Sequence, residues 1–420
     1  MIYLYRFLQI LLSPLLLAYI LVRLITGKED LKRFCERRGF PTLDRDSSKK
    51  LIWIHCASVG ESISVLPIIK RLARTKNTNV LVTTGTVTSA KLMAEKLPKN
   101  AFHQYVPIDY SFAVKRFIKH WNPDVSVFVE SDLWPNLLHY APNKVLINAR
   151  MSDRSFKRYS KAKCLAGMLL NKLDTIYAQS QQDYDRFSSL TTAQVVNSGN
   201  IKYDGPAPEY KSNEFNVLSQ AFDGRKILAV ASTHRGEDEQ VIEIYKKLEK
   251  QNPNLLMLLI PRHPHRGDDI AKLLTEAKLD FVQRSKTKGL EQASSMNVYL
   301  ADTLGEVGLW YALTDVVLMG GSLIPHGGHN PLEPLKAGKP TYSGPNMQNF
   351  KDMSEILSAK KVLKVCQSNE EIINNLNNAL LDEKFLKDFV ELSQKTIEEL
   401  TGATEIVIQA LRDKIKQEGK

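Results

Sequence analysis

Short apolar runs alternate along this chain with longer stretches whose apolar residues recur at helical spacing. LIWIH at 51–55, NVLVTT at 79–84, DVSVFVE at 124–130, KVLINA at 144–149 and DTIYAQ at 174–179 read as buried strands. Between them, residues 62–74, 89–97, 110–120 and 156–173 have the length and spacing of helices, so the repeating unit is βαβ with a parallel sheet. Residues 203–212, with two prolines, a glycine and charge, read as a linker. KILAVAS at 226–232, NLLMLLIP at 254–261, NVYLAD at 297–302 and DVVLMGG at 315–321 then open a second α/β half, and the charged tail 382–420 reads as helix.

The N-terminus breaks this pattern. Residues 7–22 are apolar apart from Gln9, Ser13 and Pro14, with Arg6 before them and Arg23, Lys28, Lys32, Arg33, Arg37 and Arg38 after. A membrane span takes about 20 apolar residues, so this run reaches across only if residues 2–4 join it and Arg6 snorkels. No A-x-A cleavage pattern follows, which favours an uncleaved anchor over residues 1–25 rather than a signal peptide. If it spans, the basic flank sets the rest of the chain on the cytoplasmic side of the membrane, against anionic lipid.

Composition changes the picture in two ways. With 420 residues and 43% apolar content, the chain can build two cores. Its formal charge of +11 suits nucleic acid, an anionic membrane or a phosphorylated substrate, but no aromatic-basic interleaving supports nucleic acid. Cys35, Cys56, Cys164 and Cys366 lie far apart without CxxC spacing, which argues for reduced thiols rather than a disulfide framework or zinc ribbon.

Candidate chemistry collects where strands end. In HCASVGE at 55–61 a strand passes through small residues into a helix, putting Glu61 at the sheet's carboxyl edge as a general base or as a first-turn glutamate stabilised by the helix dipole. ESDLWPN at 130–136 places Glu130 at the same edge; Ser131 or Asp132 can instead cap the next helix. In the second half, Arg262 of PRHPHR at 261–266 and the Gly305-Glu306-Val307-Gly308 turn suit a phosphate, or are a solvated loop and a glycine turn. Gly320-Gly321-Ser322 and HGGHNPLEP at 326–334 combine glycines for close backbone approach, Asn330 as a cap for the helix that Pro331 starts, and Glu333 as an acceptor for two ribose hydroxyls or a dipole-stabilised glutamate. His326 and His329 lack a nearby third ligand, a weak zinc signal, so no metal is expected.

Two Rossmann-like halves, 26–205 and 206–420, facing across a cleft behind an N-terminal anchor helix, resemble the B-type glycosyltransferase architecture (GT-B). At the motif level the chain resembles the family of 3-deoxy-D-manno-octulosonic acid (Kdo) transferases of lipopolysaccharide synthesis. WIHCASVGE, ESDLWPNLL, NARMSDRS, SGNIKYD, ASTHRGEDE, PRHPHR and HGGHNPLEP are similar to its successive motifs, in order. Arg235 and His265 stand where that family carries an acid. The resemblance implies an inverting transfer of Kdo from CMP-Kdo to the lipid A precursor, with Glu61 as base and Glu130 and Lys202 in support. It implies a donor site formed by Pro261, Arg262, Gly305, Glu306, Val307, Asn330, Pro331, Leu332 and Glu333. CMP-Kdo is then a substrate and no cofactor is needed. The competing readings are a GT-B enzyme using a UDP-sugar and a basic membrane-associated binding protein.

Overall fold

Seven parallel strands form the first sheet: β1 (Lys50–Cys56), β2 (Thr78–Thr84), β3 (Ala101–Tyr105), β4 (Val125–Val129), β5 (Lys144–Ala149), β6 (Thr175–Ala178) and β7 (Gln194–Asn197). Their order in this computed structural model, which describes residues 2–287 and 296–417, is β3-β2-β1-β4-β5-β6-β7. Aliphatic runs such as LIWI are buried on both faces because helices cover the sheet on each side, the usual state of parallel strands. The strand order reverses between β1 and β4, and ligands bind at the carboxyl ends beside such a reversal.

The second sheet repeats the plan with β8 (Lys226–Thr233), β9 (Leu255–Pro261), β10 (Phe281–Gln283), β11 (Val298–Leu300), β12 (Val316–Met319), β13 (Thr341–Ser343) and β14 (Leu363–Val365). Its order is β10-β11-β9-β8-β12-β13-β14, again parallel, with the reversal between β8 and β12. The chain divides into residues 1–205 with 400–420, and residues 206–399.

That division corrects the expected second half, 206–420. The last helix returns to the first unit, where Val407, Ile408 and Leu411 pack with Val65, Ile68 and Ile69. The Asp204 carboxylate accepts hydrogen bonds from the backbone N–H groups of Gly402 and Thr404 and fixes the return. An amphipathic pattern shows that a helix buries one face, but not against which core. Parts of the expected second half and tail, 288–295 and 418–420, lie outside the described residues.

The expected anchor helix is also different. Helices α1 (Ile2–Leu11) and α2 (Ser13–Ile25) meet at a 64° bend, and among the described residues no single helix is long and apolar enough to cross a membrane; the pair passes that test only together, by length and composition. Pro14 lacks an N–H and so falls in the first turn of α2 instead of continuing α1. Gln9 and Arg6 do not interrupt a span. They hold α1 to the first unit: Arg6 Nε donates to Asn136 Oδ1 at 2.8 Å, Gln9 Nε2 to the Asp109 carbonyl at 2.9 Å, and Tyr5 Oη to Asp109 Oδ2 at 2.9 Å. Tyr3, Phe7, Leu11, Leu15, Val22 and Ile25 remain exposed, so α1 turns polar groups toward the protein and the pair presents apolar groups to its surroundings. Half of the basic flank is committed internally, Arg23 and Arg37 to Glu29 and Arg33 to Glu36, leaving Lys28, Lys32 and Arg38 exposed.

Candidate active site

At the end of β1, Ser58 caps α3 (Val59–Leu72) by accepting from the Glu61 N–H at 3.2 Å. Glu61 reaches back: Oε2 accepts from the Ala57 N–H at 2.7 Å and Oε1 from Ser58 Oγ at 2.9 Å, a reciprocal box that fixes the carboxylate at the sheet's edge. Burial raises its pKa, as does the charge of Glu130, while the Ala57 N–H opposes them. A carboxylate so raised is a stronger base than a free one and stays at the edge where the small residues of 57–60 leave room.

Glu130 follows β4 with a φ of 57°, a left-handed backbone that costs energy for a residue with a side chain. Two backbone bonds hold it there, its N–H to the Ile147 carbonyl at 3.0 Å and the Arg150 N–H to its own carbonyl at 3.3 Å. Its Oε1 lies 2.6 Å from Lys202 Nζ. Lys202 sits on a short 3-10 turn, Ile201–Asp204, anchored by the Ile201 N–H to Asn148 Oδ1 at 3.1 Å and the Lys202 N–H to Asn200 Oδ1 at 3.0 Å. Thus Glu61, Glu130 and Lys202, taken from three distant motifs, gather at one edge.

Neither Ser131 nor Asp132 caps the following helix, α4 (Pro135–Tyr140); Asp109 does, accepting from the N–H groups of Asn136 and Leu137 at 3.0 and 2.8 Å. Asp132 instead lies 3.0 Å from His55 Nε2, whose Nδ1 is 3.0 Å from Thr83 Oγ1. Burial pushes Asp132 up, but the hydrogen bond and charge of His55 more than reverse this, leaving it below the ordinary carboxylate value. A polar cavity of about 310 Å³ beside Glu130 is lined by Ser152 and by two cations, Arg150 and Arg158, that the sequence pattern did not single out.

In the second unit, Pro261 ends β9 in register with Thr233 of β8, and the Arg262 N–H donates to the Thr233 carbonyl at 3.0 Å. Arg262 is therefore delivered beside the His234 loop. At the end of β12, a Cβ on Gly320 would lie 2.7 Å from the Ser232 carbonyl oxygen, and Gly321 adopts a φ of 65°, so this turn needs its glycines. Glu237, buried and absent from the sequence candidates, joins both loops: its Oε1 accepts from the N–H groups of His234 at 2.7 Å and Gly321 at 2.6 Å. Its position three residues after His234 in STHRGE was the only signal available.

The HGGHNPLEP segment behaves as expected at Asn330, whose Oδ1 accepts from the Leu332 N–H at 3.1 Å. The helix after Pro331, α5 (Leu332–Lys336), has only five residues, so its dipole is small and an anion placed there would meet chiefly backbone N–H groups and Arg262. Glu333 is exposed, yet enough protein surrounds it that burial raises its pKa against the opposing charges of Arg262 and Lys336. The Glu306 side chain is engaged within the second unit. Its Oε1 is 2.6 Å from Arg284 Nη2 and its other oxygen accepts from Thr303, so only the backbone of Gly305, Glu306 and Val307 is left for a ligand. The ion pair and Thr303 overcome burial and lower its pKa.

His326 and His329 acquire a third neighbour that the sequence did not supply. Ligand nitrogens of His234, His326 and His329 lie within 4.8 Å of one another, with His234 Nε2 and His329 Nε2 at 2.7 Å. Burial and neighbouring cations lower both His234 and His329 to about 4, so each is neutral at pH 7. The donor set fits a metal chemically, but 2.7 Å is a hydrogen bond; two nitrogens on one tetrahedral zinc stand about 3.3 Å apart, given bonds of about 2.0–2.1 Å.

Residues 32–205 match the family model described as "3-Deoxy-D-manno-octulosonic-acid transferase (kdotransferase)". The 3-deoxy-D-manno-octulosonic acid transferase of Rickettsia bellii is 35% identical over 404 residues, covering 94% of this chain and 95% of that one. The chain belongs to the Kdo transferase family. The Kdo transferase of Haemophilus influenzae is 33% identical, with 90% of each chain covered. Among solved structures, a UDP-N-acetylglucosamine 2-epimerase of Neisseria meningitidis bound to UDP-GlcNAc is similar with a TM-score of 0.58 over 87% of this chain and 100% of that chain. At 12% identity it shares the fold alone. As a member of the family, the protein is a glycosyltransferase of lipopolysaccharide synthesis.

Proposed function

We propose that the protein moves Kdo from CMP-Kdo to the lipid A precursor by a single inverting displacement. Glu61 takes the proton of the acceptor hydroxyl as its oxygen bonds to the anomeric carbon, and the bond from that carbon to the CMP phosphate oxygen breaks. The departing phosphate charge is met by Arg262 and the backbone N–H groups near Gly305–Val307 and Asn330–Leu332, while Glu333 accepts the ribose hydroxyls. Lys202, paired with Glu130, supplies positive charge for the Kdo carboxylate or the departing phosphate. The observation that carries this reading is the gathering of Glu61, Glu130 and Lys202 at the reversal of the first sheet.

The exposed apolar face of α1 and α2, with Lys28, Lys32 and Arg38 beside it, supports attachment to an anionic leaflet by a helix pair lying in the interface, on the cytoplasmic side of the inner membrane. The donor needs no cofactor, and because Arg262, backbone N–H groups and Lys202 are available to meet the charge of the departing phosphate, the reaction runs without a metal.

Mixing protein, CMP-Kdo and detergent-dispersed lipid A precursor in EDTA should release CMP and add the mass of Kdo to the lipid, whereas a UDP-sugar should yield nothing. Turnover with the UDP-sugar would favour the rival donor. Loss in EDTA that zinc restores would assign the three histidines to a metal.

Glu333→Ala should weaken CMP-Kdo binding by about 1–3 kcal/mol, the cost of leaving hydroxyls without their charged acceptor, with a smaller effect on turnover at saturating donor. Titration of CMP by calorimetry reads this directly, and unchanged affinity would remove Glu333 from the ribose.

A further inference from the structure

A cavity of about 690 Å³ lies beneath α1 and α2 in the first unit. Leu8, Leu12, Leu16 and Ile20, four residues apart, form its roof, and Phe34, Val106, Ile108 and Leu137 line the opposite side. Protein interiors close gaps far smaller than this, and the size is that of a ligand pocket. Its main polar groups satisfy one another: Arg23 and Arg37 pair with Glu29, His55 with Asp132, and Tyr5 and Gln9 both bond Asp109. Ala57 also lines it, the residue whose N–H holds the Glu61 carboxylate at 2.7 Å.

We infer that this cavity takes an acyl chain of the glycolipid acceptor, threaded beneath the helix pair so that the sugar hydroxyl arrives at Glu61. Three observations converge on that occupant. The lining is mostly apolar, and the polar side chains of Tyr5, Gln9 and Asp109 within it are bonded to one another, which leaves a surface that hydrocarbon can cover. The roof is built from helices whose other face exposes large apolar side chains, so a chain leaving the bilayer passes from one apolar surface to the next. The polar contacts of Tyr5, Arg6 and Gln9 hold the roof over the floor without filling the space between. The inference rests on the Kdo-transfer reading and adds a subsite to it.

The test uses the full chain with two acceptors, the acylated lipid and its chemically deacylated sugar headgroup. Leu16→Trp and Ile20→Trp fill the cavity from the roof, and Ile108→Trp from the floor. Each should raise KM for the acylated acceptor tenfold or more, while leaving the headgroup's kcat/KM, the CMP-Kdo KM and the melting temperature unchanged. In the wild type, shortening the chain should raise KM about fourfold per methylene lost, the transfer value of a methylene, and the filled variants should lose this dependence. Filled variants that handle the acylated acceptor like wild type would overturn the inference. So would activity that falls in step with co-sedimentation on anionic phospholipid vesicles, which would assign the effect to surface attachment. A wild type that transfers to neither acceptor would overturn the transfer reading itself, and the subsite with it.

Discussion

Glu61→Gln should lower turnover by about 10²–10⁴ while CMP affinity and melting temperature stay close to wild type. The amide keeps the shape of the carboxylate and one acceptor oxygen, so the Ala57 N–H retains its partner and α3 its box. What disappears is the ability to take a proton. The pH profile separates this from a structural effect. Because burial and the charge of Glu130 raise the pKa of Glu61, activity should rise with pH through a value above the ordinary carboxylate range and plateau once the base is ionised. The variant's residual rate should lack that limb. A variant with near-wild-type turnover, or one that keeps the limb, would leave Glu61 as a helix cap only.

Removing the cation opposite Glu130 should have the next largest effect, a loss of about 10²–10³ in kcat for Lys202→Met, the scale of losing one preorganised charge from a transition-state site. Lys202 does two things in the geometry. It places a positive charge at the edge that holds Glu61, and at 2.6 Å it offsets the charge of Glu130. Without it, the uncompensated field of Glu130 makes ionisation of Glu61 harder, so the acid limb should move to higher pH. The double variant Lys202→Met, Glu130→Gln should restore the limb toward its original position and be less impaired than the two losses multiplied, because the residues act as a pair. Full multiplicativity with an unmoved limb would show that Lys202 acts only by bracing its loop.

The longest aliphatic strands were legible from the sequence because parallel strands buried on both faces need unbroken runs such as NLLMLLIP and LIWIH. AFHQY, QVVN, FVQ, TYS and LKV were not, since they are short or polar and become strands only through a neighbour already in place. At the site, residues that follow a strand directly were readable, because a strand's end fixes where the next side chain appears. His234 meeting His329, Asp109 capping α4 across 27 residues, and Arg284 taking up Glu306 all depend on tertiary placement. The N-terminus misled for a related reason. Polar residues in an apolar run read as flaws in a span, when Arg6 and Gln9 are the contacts that hold the helix on its outside-apolar side.

The returning C-terminal helix sets an order on how the chain can mature. Residues 206–399 form a continuous unit that can fold once the ribosome has passed them. The first unit, though made earlier, is missing Val407, Ile408 and Leu411 from its core, and the partners of Asp204, until residues 402–411 emerge. A chain terminated before residue 400 therefore retains the second unit and a first unit whose core is left open, so on the proposed reading it lacks a formed Glu61 site. The returning helix acts as the latch that licenses the unit made first.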